Sequence, residues 1–394
     1  MTARDRRIAG DTGRRRMQAR RTMTADTHRY PCEMCGADLR FAPGRTGAAG
    51  LVCDHCGHRQ TISPAGRDRL AALQEIDLAL GLSDRLPEAL VAEARTLNCT
   101  SCGAQIEFEG AEHAKECPFC ASPVVIGTGA GRHIKPQALV PFRLTEDAAR
   151  AALTRWLGRL WFAPNGVQEY ARKGRRMQGI YTPFWTFDAD TRTRYTGMRG
   201  DHYYESRTVR GPDGKSRTER VQKTRWRPAS GRVARHFDDV VVLASTSLPR
   251  GHVDSLEPWD LTELEPYRPD FLAGFLAEGY TVALADGHRI ARQAMMRVIE
   301  ADVRRDIGGD VQKIGALDTD WSGETFKHIL LPIWLAAYKF RGKSYRFVVN
   351  GQTGEVKGER PWSWVKIAVA VVIGAVLAAG AAYLVHLQDQ GGGF

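Results

Sequence analysis

The chain has 394 residues, 43% of them hydrophobic, and a formal net charge of +11, a size and composition that exclude a wholly disordered polymer and predict two or three domains. Residues 1–22 hold eight arginines against two aspartates, so the rest of the chain carries only +5 and is not a uniform polycation. No apolar signal segment opens the sequence, so the bulk of the chain is expected in the cytoplasm, where clustered thiols read as metal ligands before disulfides.

Residues 1–28 read as a disordered basic arm, or as sequence upstream of a true start at Met23. Residues 29–60 and 97–126 then repeat one pattern, two CxxC knuckles each. Cys32 and Cys35 pair with Cys53 and Cys56 across a 17-residue gap; Cys99 and Cys102 pair with Cys117 and Cys120 across a 14-residue gap. Two knuckles joined by a hairpin give four soft ligands, the donor set of a tetrahedral structural zinc. Gly36, Gly57 and Gly103 follow their knuckles, where a tight turn aims backbone amides at sulfur. All eight cysteines are used, so two zinc ions per chain are expected. Rubredoxin-like iron and a redox dithiol pair are the alternatives; a closed four-cysteine site leaves no open position for chemistry. His55, His58 and His113 become spare surface residues. Neither ribbon interleaves basic and aromatic residues densely, so protein contact or bracing is favoured over nucleic acid. Between the ribbons, residues 61–96 form a helical linker, with Leu70, Leu73, Ile76 and Leu80 at near-helical spacing.

Residues 137–360 read as a mixed α/β domain with antiparallel meanders, which makes the chain α+β. Thr145 is a candidate N-cap, with Glu146 and Asp147 in the first turn and Ala149, Leu153, Trp156, Leu157 and Leu160 on one face. The segment 181–195 alternates as a half-buried strand. Pro212-Asp213-Gly214 reads as a hairpin turn, Val240–Ala244 as a buried strand, and Asp286–Ile307 as a helix stopped by Gly308 and Gly309. A meander runs through Leu330–Phe340 and Tyr345–Asn350. The phrases Thr182-Pro183-Phe184-Trp185 and Leu331-Pro332-Ile333-Trp334 look alike and hint at duplication.

Residues 367–385 carry no charge and span about 28 Å as a helix, enough for one transmembrane crossing. Arg346, Lys357, Arg360 and Lys366 precede it and the tail 386–394 has no Lys or Arg, so the positive-inside rule keeps the N-terminal bulk cytoplasmic at the inner membrane. Ala370, Gly374, Ala378 and Ala382 recur on one helix face, a stripe suited to helix–helix contact and a homo-oligomer. The hairpin 192–235 carries 13 cations against four acids. Arg217, Arg220, Lys223, Arg225 and Arg227 are its candidate contacts to anionic lipid or to nucleic-acid phosphates, with a solvated hairpin as the bland alternative.

No enzyme activity is expected. Gly342-Lys343-Ser344 and Gly214-Lys215-Ser216 offer the end of a phosphate loop, but its first glycine is replaced by Ala337 and Val209. Asp188 and Asp190 share a strand face and read as a solvated, arginine-neutralised pair.

The knuckles Cys32-Glu-Met-Cys35-Gly and Cys117-Pro-Phe-Cys120, with Tyr181-Thr-Pro-Phe-Trp-Thr-Phe-Asp188 and Phe347-Val-Val-Asn-Gly-Gln-Thr-Gly354, resemble bacterial membrane-anchored proteins with zinc ribbons of the transcription factor IIB type. Such relatives are often labelled primosomal protein N′ or superfamily II helicase; the ATPase motifs of those enzymes are missing here. The resemblance implies a scaffold or adaptor in a membrane-organising or envelope-stress assembly, with SPFH-domain or phage-shock-type membrane proteins as partners. It carries over only the eight cysteines as site residues. The alternative reading is a membrane-tethered nucleic-acid-binding protein.

Overall fold

A computed structural model describes residues 30–43, 50–62, 73–83, 85–87, 90–98, 105–107, 128–160, 177–210, 216–340, 343–359 and 363–391. A small antiparallel sheet comes first, from β1 (Leu39–Ala42), β2 (Gly50–Cys53) and β3 (Arg59–Thr61). There follow β4 (Ile76–Asp77), α1 (Leu78–Leu82), β5 (Val91–Asn98), β6 (Gln105–Glu107), β7 (Thr128–Ile134), β8 (Ala138–Leu139) and α2 (Glu146–Gly158). The long strands β9 (Gln178–Arg210) and β10 (Ser216–Leu243) lead to α3 (Arg250–Asp254), β11 (Glu265–Pro266) and β12 (Leu276–Glu278). The chain closes with α4 (Leu284–Ile307), β13 (Val311–Phe340), β14 (Lys343–Asn350), β15 (Val356–Gly358) and α5 (Trp364–Gly391). Strands β4 to β15 join one curled, mostly antiparallel sheet, so the protein is α+β.

Residues 63–72, and with them Leu70 of the expected helical linker, lie outside the described residues; among those described between 61 and 96, Ile76–Asp77 pair with β13, Leu78–Leu82 turn helical, and Val91–Asn98 extend as β5. At Ile76 the near-helical spacing gives way to strand because Ile76 gains a place under Phe326, its cross-strand partner, and tertiary pairing overrides a weak local period. The strands flanking the second cysteine set belong to the large sheet. β5 pairs with β6 and β7, and β6 pairs with β12, so they extend the central sheet.

The capping chemistry behaves as the residues dictate. Thr145 accepts from the Ala148 amide and starts α2; Gly308, at φ 66°, ends α4. On α4 the side chains of Ala291, Met295, Ile299, Val303 and Ile307 recur every fourth residue and pack on Trp185, Phe187, Tyr195 and Phe237 of the sheet. The expected alternation over 181–195 starts only at Asp190. Residues 181–189 are buried on both faces, because α3 and the chain around Leu256 and Leu264 cover one side and α4 with the Phe142 cluster the other.

The two look-alike phrases prove to be cross-strand neighbours. Thr182 stands opposite Leu331, and Pro332 opposite Tyr181. Each lies where its strand exchanges partners. β9 takes short parallel β12 at Ile180–Tyr181, then antiparallel β10 from Phe184; β13 takes short parallel β8 at Ile329–Leu330, then antiparallel β14 from Ile333. Pro183 and Pro332 occupy the two exchange points, where a missing N–H is harmless in an otherwise central strand. Their carbonyls accept from Ala244 and Gly351. The indoles Trp185 and Trp334 likewise donate to the Val282 and Leu144 carbonyls, each just before a helix. Two units, β8–α2–β9–β10 and β12–α4–β13–β14, therefore interlock, each short strand pairing with the long strand of the other.

Candidate metal centre

Cys32 and Cys35 lie before β1; Cys53 ends β2 and Cys56 follows it. Gly36 and Gly57 hold φ near +75°, and their amides turn back onto the Cys32 and Cys53 carbonyls at 2.8 and 2.9 Å. Both positions need the left-handed backbone that glycine adopts freely. Antiparallel pairing of Leu39 with Cys53 then brings the knuckles face to face. The sulfurs of Cys32 and Cys56 stand 3.5 Å apart, as do those of Cys35 and Cys53, and all four lie within 4.8 Å of one another. Sulfurs about 2.3 Å from a tetrahedral zinc would be separated by about 3.8 Å, so the set fits one such ion.

The thiols are not equivalent. The Cys56 backbone N–H works against burial and, with the His55 amide, draws Cys53 down to about 6. The Ala37 amide pulls Cys35 the same way, but the sulfurs of Cys53, Cys56 and Cys32 outweigh it and push that thiol up to about 12. Four thiols this close resist holding four charges unless a cation shares them.

The hairpin that carries these ligands is packed into the main core. Phe41 is 1% exposed and meets the rings of Phe271 at 5.4 Å and Phe275 at 6.2 Å. Its amide donates to the Ala273 carbonyl at 2.9 Å. Phe275 stacks on Phe142 at 4.2 Å, and Phe142 touches Tyr181 and Trp334. Directly after Phe275, β12 joins both β6 and β9. The stretch 269–278 thus connects the first cysteine set to the strands that flank the second. Cys99 and Cys102 fall between β5 and β6, and Cys117 and Cys120 between β6 and β7; all four lie outside the described residues, as does His113.

A second cluster joins residues far apart in sequence. The carboxylates of Glu75, Asp188 and Asp238 converge beside Lys327. Lys327 reaches Glu75 at 2.8 Å and Asp239 at 2.9 Å. Thr325 donates its hydroxyl toward Glu75 at 2.6 Å and Asp188 at 3.1 Å. A bulge at Asp238–Asp239, with Asp239 at φ 51°, aims the Asp239 amide at Asp188, 2.5 Å away. Burial, and then Glu75, push Asp188 up to about 7. The Asp188 carboxyl, working against burial and with Lys327 beside it, draws Glu75 down to about 2. Burial opposes the charge on Lys327, but Asp239 and Glu75 outweigh it and hold it protonated. Asp188 is therefore not solvated and its neutralising cation is not an arginine, contrary to the sequence reading; Asp190 is exposed and bonds His236. No local motif marks this cluster, since Lys327 and Glu75 meet across 252 positions.

The five basic residues of the hairpin do not form one patch. Arg220 lies on one face of the β9–β10 ladder and Arg217, Lys223, Arg225 and Arg227 on the other, as the register requires. Lys223 bridges Glu205, Arg227 bridges Asp201, and Arg225 lies 5.2 Å over the Tyr203 ring.

Helix α5 is long and apolar enough over Trp364–Tyr383 to cross a membrane, and none of that stretch is buried in the protein. Ala370, Gly374, Ala378 and Ala382 are exposed, and no atom of another element lies within 4 Å of the space a Cβ on Gly374 would fill.

No protein-family model and no solved structure matches the chain. A distant homologue is the uncharacterized protein YdjG of Bacillus subtilis (strain 168), 26% identical over 343 residues, which cover 86% of this chain and 92% of that one.

Proposed function

We propose that this chain is a membrane-anchored scaffold or adaptor, braced by zinc, with its N-terminal bulk in the cytoplasm and α5 in the inner membrane. The observation that carries the reading is the contrast between two parts of one chain. The four-cysteine hairpin is packed into the core through Phe41, whereas α5 presents an apolar surface covered by nothing. A metal module buried against its neighbour has less free surface for recognition and more of a bracing part. An uncovered apolar helix of about 30 Å needs lipid around it. The partners that fit are membrane proteins such as the SPFH-domain or phage-shock type.

Affinity capture of the tagged full chain from detergent-solubilised membranes, with and without nuclease, tests the reading. The expected result is a set of co-purifying membrane proteins unchanged by nuclease. Loss of those proteins on nuclease treatment would favour a membrane-tethered nucleic-acid-binding protein. Recovery of the full chain in the soluble fraction of broken cells would reject the anchor.

A further inference from the structure

β13 begins at Val311, opposite Gly200, so the β9–β10 ladder continues alone from His202–Thr224 out to Arg210–Ser216. That is an arm of about 30 Å with no third strand among the described residues. Directly paired residues of antiparallel strands share a face. On one face carboxylates are interspersed among the cations, so that Lys223 bridges Glu205 and both Arg199 and Arg227 bridge Asp201, although cations outnumber acids there too. The other face is different. From Met198 outward its described side chains include no carboxylate; the cations are Arg210, Arg220 and Lys313, and hydroxyl and amide groups lie between them. The Asp310 carboxylate sits at the rim, accepting from the His202 amide. Tyr204 is 65% exposed on this face, and Trp226 lies under Lys313 at 4.2 Å. Gly200 leaves the room Trp226 needs, since a Cβ there would meet its ring at 3.0 Å.

We propose that this acid-free face docks on an anionic bilayer surface, giving the protein a second membrane contact besides α5. The inference rests on the anchored reading. Cations with no carboxylate partner among the described residues, and phosphate-binding donors, complement anionic headgroups. Tyrosine and tryptophan, apolar with one polar tip, favour the same depth. The two contacts belong to different parts of the sheet: the chain reaches α5 after β15, which pairs with β14 beside Ala336, whereas the arm starts where β13 begins at Val311.

The test is hydrogen exchange of the full chain in nanodiscs, of phosphatidylcholine alone or of three parts phosphatidylcholine to one of phosphatidylglycerol. Exchange over 202–210 and 216–224 is expected to slow about threefold or more with phosphatidylglycerol, and to recover at high salt, where screening shortens to a few ångströms. The triple variant Arg210→Gln, Arg220→Gln, Lys313→Gln is expected to lose that slowing. The variant Arg217→Gln, Lys223→Gln on the opposite face is expected to keep it. Equal exchange in both lipids, with α5 protected in each, overturns the docking face and leaves the anchor standing. An α5 unprotected in both overturns the anchor as well. Slowing produced only when a thymidine oligonucleotide is added to phosphatidylcholine discs overturns the lipid assignment in favour of nucleic acid.

Discussion

Asp188 is the residue whose chemistry departs most from its sequence context. It is 6% exposed, shares a hydroxyl with Glu75, and is pushed up to about 7 by burial and by that neighbour. A carboxyl held above its unfolded value near 3.8 favours the fold while protonated. Its contribution is therefore full below about pH 4 and lost as the pH rises toward 7. Glu75 runs the other way, contributing above its ordinary value and losing that contribution as the pH falls toward 2. Asp188→Asn keeps a donor for Glu75 and removes the titration. The variant is expected to match the parent at pH 4.5 and to exceed it by on the order of 2 kcal/mol at pH 8, with the pH slope between 4 and 7 flattened. Denaturant unfolding of the full chain in detergent at several pH values checks this; an unchanged slope would place the shifted group elsewhere.

At the scale of elements, the hairpin β1–β2 and the stretch 269–278 form one unit through Phe41. Truncating a fully buried aromatic costs about 3–5 kcal/mol where the cavity does not collapse. Phe41→Ala is thus expected to speed amide exchange over 269–278 and in β12 while all four cysteines remain. Chelating the metal from the parent protein is expected to do the same, since ligand geometry and Phe41 hold the hairpin jointly. Exchange that rises in β1–β2 alone would mean the hairpin is only appended. Helix α5 makes a separate prediction. Gly374→Ile in the isolated span is expected to lower the signal of a membrane dimerisation reporter, with Val371→Ile as the control off that face, because close backbone approach needs small side chains. No loss would leave α5 as an anchor and nothing more.

For the molecule as a whole, the interlocked units share one sheet, the first cysteine set stands on a small sheet of its own, and the strands flanking the second set pair into the large one. Elemental analysis of the purified full chain is expected to give two zinc per chain, one on Cys32, Cys35, Cys53 and Cys56 and one on Cys99, Cys102, Cys117 and Cys120. Cys35→Ser, at an exposed ligand, is expected to lose one zinc and keep the other. A single zinc in the parent protein would show that the second set does not close on a metal of its own.

The sequence by itself determined what depends on near neighbours. Glycine after both CxxC knuckles of the first set, Thr145 ahead of Glu146 and Asp147, the stop at Gly308 and the uncharged run after Lys366 act over a turn or two of chain, so the first metal set, the caps of α2 and α4 and the apolar helix α5 could be read directly. Tertiary structure decided what depends on which surfaces meet. Ile76 became strand because Phe326 was there to pair with it. Residues 181–189 lost their alternation because both faces were covered. The basic residues of the hairpin divided between two faces because strand register, set by the pairing of β9 with β10 and with β13, assigns each side chain its side. The Glu75–Asp188–Lys327 cluster, the seat of Phe41 and the exchange of partners at Pro183 and Pro332 join segments tens to hundreds of residues apart, and no local period encodes such a meeting.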